Sequence, residues 1–201
     1  AHVGAPYCYR CKYDCEDCGR RYAEEVEHAI TAAEGQVAAF ILEPVSGATL
    51  GAAVPPDGYL KRVAGICRNQ EILLIADEVM TGMGRTGRNF AVDRWNVQPD
   101  ILVTAKGLSS GYAPLGAVLV TKKVADAIAL GSGAFIHGFT YSAHPVSLAA
   151  GRAVLQHSKS QHLVEAADSD VPHTAAGALK KALGKLRDLE MVGDVRGVGV
   201  L

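Results

Sequence analysis

The sequence has almost no excess of either charge and no long apolar segment. Its 20 basic and 21 acidic residues give a formal net charge of −1, and no basic stripe or tail stands out. This balance argues against nucleic acid and membrane surfaces as partners, because both attract concentrated positive charge. The apolar stretches are far shorter than the ~20 residues that a transmembrane helix needs. The first six residues also lack the layout of a signal peptide, so we expect a cytoplasmic protein.

Both ends of the chain look cut. There is no initiator Met, the chain begins in a Cys-rich loop, and residues 195–201 have the pattern of a strand that is just beginning. We therefore expect a fragment of a longer protein or one chain of a split protein. With 201 residues, of which 49% are hydrophobic and 20% charged, the chain is nevertheless long and apolar enough for one α/β domain.

Apolar runs alternate with helical periodicities along the sequence. Continuous apolar runs at residues 37–42 and 72–76 predict strands buried on both faces, and residues 101–104 and 116–120 predict two further strands. Helical spacing covers residues 21–33, 59–70, 124–130, 146–157 and most of 161–189, with an interruption near Pro172. This alternation predicts an α/β fold with a mainly parallel sheet flanked by helices.

Three ionisable residues lie at or just beyond the ends of predicted strands: Glu43, Asp77 and Lys106. Ligands of parallel sheets bind beyond the carboxyl ends of the strands, so these side chains are expected to share a site. A lysine and an acid at neighbouring strand ends are what a pyridoxal phosphate enzyme uses. The lysine holds the cofactor as a Schiff base, and the acid keeps the pyridine nitrogen protonated. The structural alternatives are a strand-capping surface lysine and a carboxylate that accepts loop N–H groups.

Strand geometry predicts how the neighbouring side chains point. Side chains alternate along a strand, so Glu78 should face away from Asp77 and Val79 should return to the Asp77 side. Lys106 is expected at a partly dehydrated strand end, followed by a glycine that leaves room for a ring.

Two nucleotide-binding patterns were weighed against this interpretation. A hydrophobic strand ending in Asp-Glu also resembles the Mg²⁺-binding acid of P-loop ATPases, but GxxxxGK[ST] does not occur in the chain. A P-loop upstream of this sequence keeps that alternative open. Residues 82–87 satisfy GxGxxG, yet five residues separate them from the strand and no clear helix start follows. We therefore predict a flexible, glycine-shaped loop rather than a dinucleotide site.

Four of the five cysteines are clustered as Cys8, Cys11, Cys15 and Cys18. Paired CxxC units resemble zinc or iron–sulfur sites, although three residues between the pairs is short for a zinc knuckle. The alternative, which we favour, is a surface loop with reduced thiols in a cytosolic protein. Cys67, inside a helical pattern, is predicted to be a small buried residue.

Taken together, several strings resemble the class III pyridoxal phosphate aminotransferases, the group that contains ω-amino acid, 4-aminobutyrate and ornithine aminotransferases. They occur in family order and cover nearly the whole chain: Glu43-Pro-Val-Ser-Gly47, Ala76-Asp-Glu-Val-Met-Thr-Gly-Met-Gly-Arg-Thr-Gly87, Pro99-Asp-Ile101, Ala105-Lys-Gly-Leu108, Pro114-Leu-Gly-Ala117 and Gly138-Phe-Thr-Tyr-Ser142. The opening Tyr7-Cys-Tyr-Arg-Cys11 also looks like a loop of part of this family, which weakens the metal interpretation.

The resemblance implies a fold-type-I transferase, with part of the large domain in residues 1–157 and a linking helix and the start of the small domain in residues 158–201. It implies pyridoxal 5'-phosphate as cofactor and a ping-pong aldimine mechanism that moves an amino group from an amino acid or ω-amine donor to a keto acid.

The resemblance also implies a role for each matching residue. Lys106 would form the aldimine and carry the proton, Asp77 would hold the pyridine N–H, and Val79 would pack on one ring face. Glu43 would lie near the substrate. Thr140 would bind the cofactor phosphate of the neighbouring subunit, which implies a homodimer.

This chain departs from the family pattern in several places. The phosphate-binding turn and the ring-stacking aromatic residue would precede Ala1, and the substrate-carboxylate arginine would lie beyond Leu201. Phe139 stands where many members have His, and Ser142-Ala-His-Pro145 replaces the commoner Gly-Asn-Pro. We therefore expect about half an enzyme. A catalytically incomplete fragment that needs a partner chain is the second hypothesis, and a piece of a P-loop NTPase is the third.

Overall fold

The computed structural model describes residues 1–13 and 16–201. One sheet has the strand order β1-β2-β3-β4, with bounds Ala39–Leu42 (β1), Leu73–Asp77 (β2), Ile101–Thr104 (β3) and Ala117–Val120 (β4). Strands β1 to β3 are parallel, and β4 is antiparallel to β3. The predicted α/β fold with a mainly parallel sheet is confirmed, because the four strands predicted at residues 37–42, 72–76, 101–104 and 116–120 form close to their expected positions.

The helices of the described residues are α1 (Cys18–Ala32), α2 (Tyr59–Asn69), α3 (Lys122–Leu130), α4 (Pro145–Ser160), α5 (Leu163–Ala166) and α6 (Ala175–Gly184). Short 3-10 turns occur at Cys8–Arg10, Ala91–Trp95, Lys106–Leu108 and Lys185–Asp188. Within the described part of the chain, no helix has both the length and the apolar character needed to cross a membrane. The predicted domain division after residue 157 stays a prediction, and α4 continues past that point.

Helices α1 and α2 pack on each other and on one face of the sheet, which we call the covered face. Their buried residues include Val26, Leu60 and Val63, which recur at helical spacing. Alternate strand residues such as Leu74 and Leu102 complete the core. Burial of each such side chain stabilises the fold by roughly 1.5–3 kcal/mol, so this layer carries most of the hydrophobic stabilisation.

The opposite face of the sheet, which we call the open face, is largely uncovered in this chain. The strand register aligns Ile41, Ile75, Ile101 and Val120 across it. Ile41 is 61% exposed and Val120 is 44% exposed. The prediction that strand 37–42 is buried on both faces is therefore wrong for this chain, because helices α1 and α2 cover only one side of it.

The C-terminal third contains less helix than its sequence pattern predicts. Helices α5 and α6 are separated by turns at residues 167–174, where Asp168, Val171 and Thr174 form local hydrogen bonds. Residues 195–201 are irregular, with a turn at 198–200 instead of the predicted strand, and Val200 N–H donates to Arg85 O at 2.9 Å. Gly199 has a φ of +66°, which suits a turn and not an extended strand.

Candidate active site

The carboxyl end of β2 carries two acids that face opposite sides of the sheet. Asp77 is half-buried and pairs in register with Val103, so it lies on the open face. Its Oδ1 accepts the Val79 backbone N–H at 3.0 Å, and Val79 is half-buried beside it. Glu78 is fully buried on the covered side. The predicted opposite orientation of these two side chains is confirmed.

Both carboxylate oxygens of Glu78 accept hydrogen bonds. Thr81 Oγ1 donates to Oε2, and the Val92 backbone N–H donates to Oε1 at 2.9 Å. Burial raises the pKa of Glu78 above its usual range, while the bonds from Thr81, Val92 and Ala91 act in the opposite direction. A buried carboxylate is costly unless such donors meet it, so Glu78 is fixed where it lies.

Lys106 begins a 3-10 turn two residues beyond the end of β3. Its φ of +37° lies in the left-handed region, which is uncommon for residues other than glycine and often marks functional sites. The side chain is exposed, so the expected partial dehydration of Lys106 is not found in this chain. Its amine is accessible to a ligand that approaches the carboxyl edge of the sheet.

The strand register brings the predicted site residues to one edge. Leu42 pairs with Ala76 in the parallel β1–β2 pair, so Glu43 and Asp77 follow at neighbouring strand ends. Asp77 pairs with Val103, three residues before Lys106. Glu43 is exposed, and its Oε2 accepts the Gly47 N–H at 2.8 Å, which closes the loop after β1.

Two methionines link these three strand ends, and the sequence analysis did not anticipate them. A Cβ placed on Gly47 would lie 2.6 Å from Met80 Sδ, and a Cβ on Gly107 would lie 3.0 Å from Met83 Cβ. The turn after β2 therefore contacts the Glu43 loop on one side and the Lys106 turn on the other. Only glycine allows these approaches without displacement, and the glycines in the loops that follow β1 and β3 were the available sequence signal.

The glycine-rich loop at residues 82–87 is buried and held by both halves of the chain. Thr86 is fully buried, and Gly87 has a φ of +76° with Asp168 so close that a Cβ would lie 2.5 Å from its Cα. The loop is thus packed and hydrogen-bonded, which differs from the flexible loop that we predicted. It leads into the 3-10 turn Ala91–Trp95 and not directly into a helix, as a dinucleotide fingerprint would require.

Thr140 lies in residues 129–146, a segment that is exposed throughout. His137 contacts the rings of both Phe135 and Phe139 edge-on, with centroids 5.8 and 5.2 Å apart. The structure does not assign Thr140 to the cluster of Glu43, Asp77 and Lys106, so its role stays a prediction.

The cysteine loop brings two thiols together beside α1. Cys8 Sγ lies 3.7 Å from Cys18 Sγ, and burial together with this neighbour raises the pKa of Cys18 to about 11. Cys11 also belongs to this group, whereas Cys15 lies outside the described residues. Among residues 1–13 and 16–201, no group of three or more His, Cys, Asp or Glu is arranged to hold a metal ion.

A surface cleft of about 480 Å³ lies away from the strand ends. Its basic side chains pair with neighbouring groups: Arg94 with Thr86 O and Asp170, Lys180 with Asp170, Arg187 with Val195 O, and Arg196 with Leu50 O and Gly51 O. Neither Asp77 nor Lys106 lines it, so we do not assign the chemistry to this cleft.

The residues at the carboxyl edge fit the ring end of pyridoxal phosphate. Asp77 has a second oxygen, Oδ2, that can accept a pyridine N–H, and Lys106 is exposed at the next strand end. An acid and a lysine at neighbouring strand ends of a mainly parallel α/β sheet are the two groups that a pyridoxal phosphate-dependent enzyme uses.

Within that class, the family described as "Aminotransferase class-III" matches residues 2–201, so the chain belongs to the class III aminotransferases. It is 39% identical to the aminotransferase YodT of Bacillus subtilis (strain 168), over 99% of this chain and 44% of that protein. It is 41% identical to an omega-aminotransferase of Caulobacter vibrioides (strain ATCC 19089 / CIP 103742 / CB 15), over 91% of this chain and 41% of that protein.

Solved transaminase structures have the same fold. A thermostable (S)-enantioselective omega-transaminase from Thermomicrobium roseum superposes with a TM-score of 0.91 at 42% identity, over 99% of this chain and 44% of that one. The omega transaminase from Pseudomonas jessenii in complex with PMP gives a TM-score of 0.90 at 39% identity, over 98% and 44%. The chain thus spans less than half the length of these relatives.

Proposed function

We propose that the whole protein is a pyridoxal phosphate-dependent transaminase that moves an amino group from an amino acid or ω-amine donor to a keto acid. The observation that carries this proposal is the placement of Asp77 at the end of β2 and of Lys106 just beyond the neighbouring parallel β3, at one edge of the sheet. Membership of the class III family and the omega-aminotransferase named among its relatives support it.

When bound, the cofactor supplies an aldehyde and a protonated ring that can accept electrons from the substrate Cα. Asp77 would hold the ring N–H in a charge-assisted hydrogen bond, which keeps the nitrogen protonated. Val79 would pack on one ring face. The turn to Gly107 leaves the Lys106 amine at the open end of the strands, where it would hold the cofactor covalently.

Lys106 Nζ would also move the proton at the substrate Cα, because it lies at the strand end where the cofactor would be held. Such a positioned acid–base group contributes about 10²–10⁴-fold to a rate. Glu43 would lie near the substrate, and Thr140 would bind the phosphate held by a second subunit, so the proposal includes a homodimer. The cytoplasmic location expected from the sequence is also part of it.

The experiment uses the full-length protein that contains this chain. We expect pyridoxal phosphate to produce a visible absorption band, and borohydride reduction followed by peptide mapping to place the adduct on Lys106. Lys106→Ala should abolish the band and lower transamination by at least about 10²-fold. Lys61→Ala, an exposed lysine on α2, is the matched control and should behave as wild type. Transamination that survives Lys106→Ala would refute the proposal.

A second candidate is a catalytically incomplete fragment that works only with a partner chain. The apolar open face favours it, because Ile41 and Val118 are 61% and 64% exposed and large apolar patches mark interaction sites. Gel filtration of this chain alone tests the candidate: aggregation or co-purification with a second chain supports it, and a stable monodisperse chain that binds the cofactor opposes it. The P-loop alternative is set aside, because the chain belongs to an aminotransferase family.

A further inference from the structure

We infer that Glu78 is a positioning residue for the candidate active site. Its buried carboxylate fixes the turn at residues 79–83, and that turn holds the Glu43 loop and the Lys106 turn in place. The inference rests on the proposed function for its catalytic meaning, but the positioning itself is a property of this chain.

Glu78 forms hydrogen bonds at both ends of the segment that connects β2 to the 3-10 turn Ala91–Trp95. On the near side, Thr81 Oγ1 donates to Oε2, and Gly82 N–H donates to the Glu78 backbone carbonyl at 3.0 Å. On the far side, Val92 N–H donates to Oε1 at 2.9 Å. One carboxylate thus closes a loop of about a dozen residues. Because the acid is fully buried and both of its oxygens accept hydrogen bonds, it restricts the positions that this loop can take.

The anchored turn makes the contacts that reach the other strand ends. Met80 Sδ lies where a Cβ on Gly47 would be only 2.6 Å away, and Gly47 N–H is bonded to Glu43. A Cβ on Gly107, the residue after Lys106, would lie 3.0 Å from Met83 Cβ, and Met83 has a φ of +58°. A displacement of the turn would therefore move the Glu43 loop and the Lys106 turn, because closely packed protein interiors have little spare volume.

Glu78 does not act as a catalytic residue in this scheme. Side chains alternate along β2, so Glu78 faces the covered side while Asp77 faces the open side. Its effect on the chemistry is therefore indirect, through the position of Asp77, Met80 and Met83. An apolar residue could fill the same space, but it could not accept the Thr81 and Val92 donors and would leave them unpaired.

The test compares Glu78→Ala, Glu78→Gln and Thr81→Val in the full-length protein. Gln can accept the Val92 N–H through its oxygen and donate to Thr81 Oγ1 through its amide, so it should preserve the turn. Ala removes both bonds. Thr81→Val removes one donor to Glu78 and keeps the side-chain shape. It therefore tests whether the Glu78 bonds position the turn if Glu78→Ala does not fold. Glu27→Ala, an exposed acid on α1, is the matched control.

The first readout is the methyl NMR signal of ¹³C-labelled methionine, measured without cofactor. This chain contributes three methionines to the full-length protein, and Met191, which is 90% exposed here, serves as an internal reference. Signals are assigned with single Met→Leu variants. We expect Glu78→Ala and Thr81→Val to shift the Met80 and Met83 signals and leave Met191 in place, whereas Glu78→Gln and Glu27→Ala shift none of them.

The second readout is the dissociation constant of pyridoxal phosphate at a temperature where every variant is folded. Glu78→Ala should raise it at least about tenfold, or about 1.4 kcal/mol, and Glu78→Gln should restore it. A purely structural role would lower the melting temperature without moving either readout in the folded protein, and that result would overturn the inference. If wild type takes up no cofactor at Lys106, the proposed function fails, while the methionine signals still decide the positioning.

Discussion

The thiol of Cys67 shows how burial controls reactivity at the level of one residue. Cys67 is 1% exposed on the sheet side of α2, as the sequence predicted, and burial, with a contribution from Asp100, raises its pKa to about 11. Because the thiolate is the reactive form, we expect iodoacetamide at pH 8 to label Cys67 at least about a hundredfold more slowly in the native protein than in denaturant.

Peptide mapping by mass spectrometry measures this labelling, and a Cys67→Ala variant confirms the assignment of the modified peptide. Equal labelling rates for native and denatured protein would contradict the buried position. The exposed Cys8 belongs to a group of neighbouring thiols and is not a suitable reference.

Residue-level features differed in how far the sequence could predict them. The opposite orientations of Asp77 and Glu78 follow from strand alternation, so they were predictable. The contacts of Met80 with Gly47 and of Met83 with Gly107 depend on where loops from three strands meet, which no local pattern encodes. The exposure of Lys106 also could not be read from the sequence, because dehydration of a strand end depends on what covers it.

At the level of elements, ion pairs join the turn between α5 and α6 to the glycine-rich loop. Arg88 Nη1 lies 2.6 Å from Asp168 Oδ2, and this contact lowers the pKa of Asp168 below its usual range. Arg94 pairs with Asp170, which also meets Lys180 at 3.0 Å, and both contacts lower the pKa of Asp170. The side chain of Asp168 is 11% exposed, so its pairing is partly shielded from water.

We expect Asp168→Asn to lower the free energy of unfolding by about 1–3 kcal/mol, because it weakens a charged hydrogen bond beside the buried loop. Limited proteolysis should then cut more readily near residues 168–174. Asp126→Asn, which breaks the exposed Lys122–Asp126 pair on α3, is the control and should cost at most about 0.5 kcal/mol. Equal losses for both variants would show that the turn is not held by these charges.

The pH dependence of this contact has a definite sign. A depressed carboxyl pKa means that the stabilisation of Asp168 is fully present above the ordinary value of 3.8 and is lost as the pH falls through the lower folded-state pKa. Urea titrations at pH 7 and near pH 3 measure it. The difference between wild type and Asp168→Asn should shrink at the lower pH, and a difference that grows there would contradict the assignment.

Strands and the first four helices were predictable because buried apolar runs and helical spacing are local signals. The region after residue 160 was predicted less well. Its amphipathic pattern suggested nearly continuous helix, yet Thr174 caps α6 by accepting the Gly177 N–H at 2.9 Å and donates to Asp168 O and Val171 O. Such competition between side chain and backbone breaks a helix that periodicity alone would continue.

At the scale of the whole molecule, the open face should make a substitution act differently in this chain and in the full-length protein. Val118→Lys places a charge on that face, where Val118 is 64% exposed. In the isolated chain we expect higher solubility with little change in melting temperature. In the full-length protein, where we propose that further chain covers this face, the same change should destabilise by about 1–3 kcal/mol.

Light scattering and thermal melts of both forms measure this difference. Met191→Lys, at a 90% exposed position away from the sheet, is the control and should be neutral in both forms. If Val118→Lys leaves the stability of the full-length protein unchanged, the open face stays in contact with water there. The sequence could not reveal this face, because a run such as 37–42 is equally apolar whether or not both of its sides are covered.

The glycine-rich loop has a consequence for how the protein could change shape. Gly84 contacts Val164, Gly87 contacts Asp168, and Gly199 lies against Arg85 and Thr86, so the C-terminal third rests on this loop at three points. Met83, inside the same loop, lies against Gly107. A hinge motion of the C-terminal third would therefore displace the glycine-rich loop, and through Met83 the Lys106 turn, without movement of any strand.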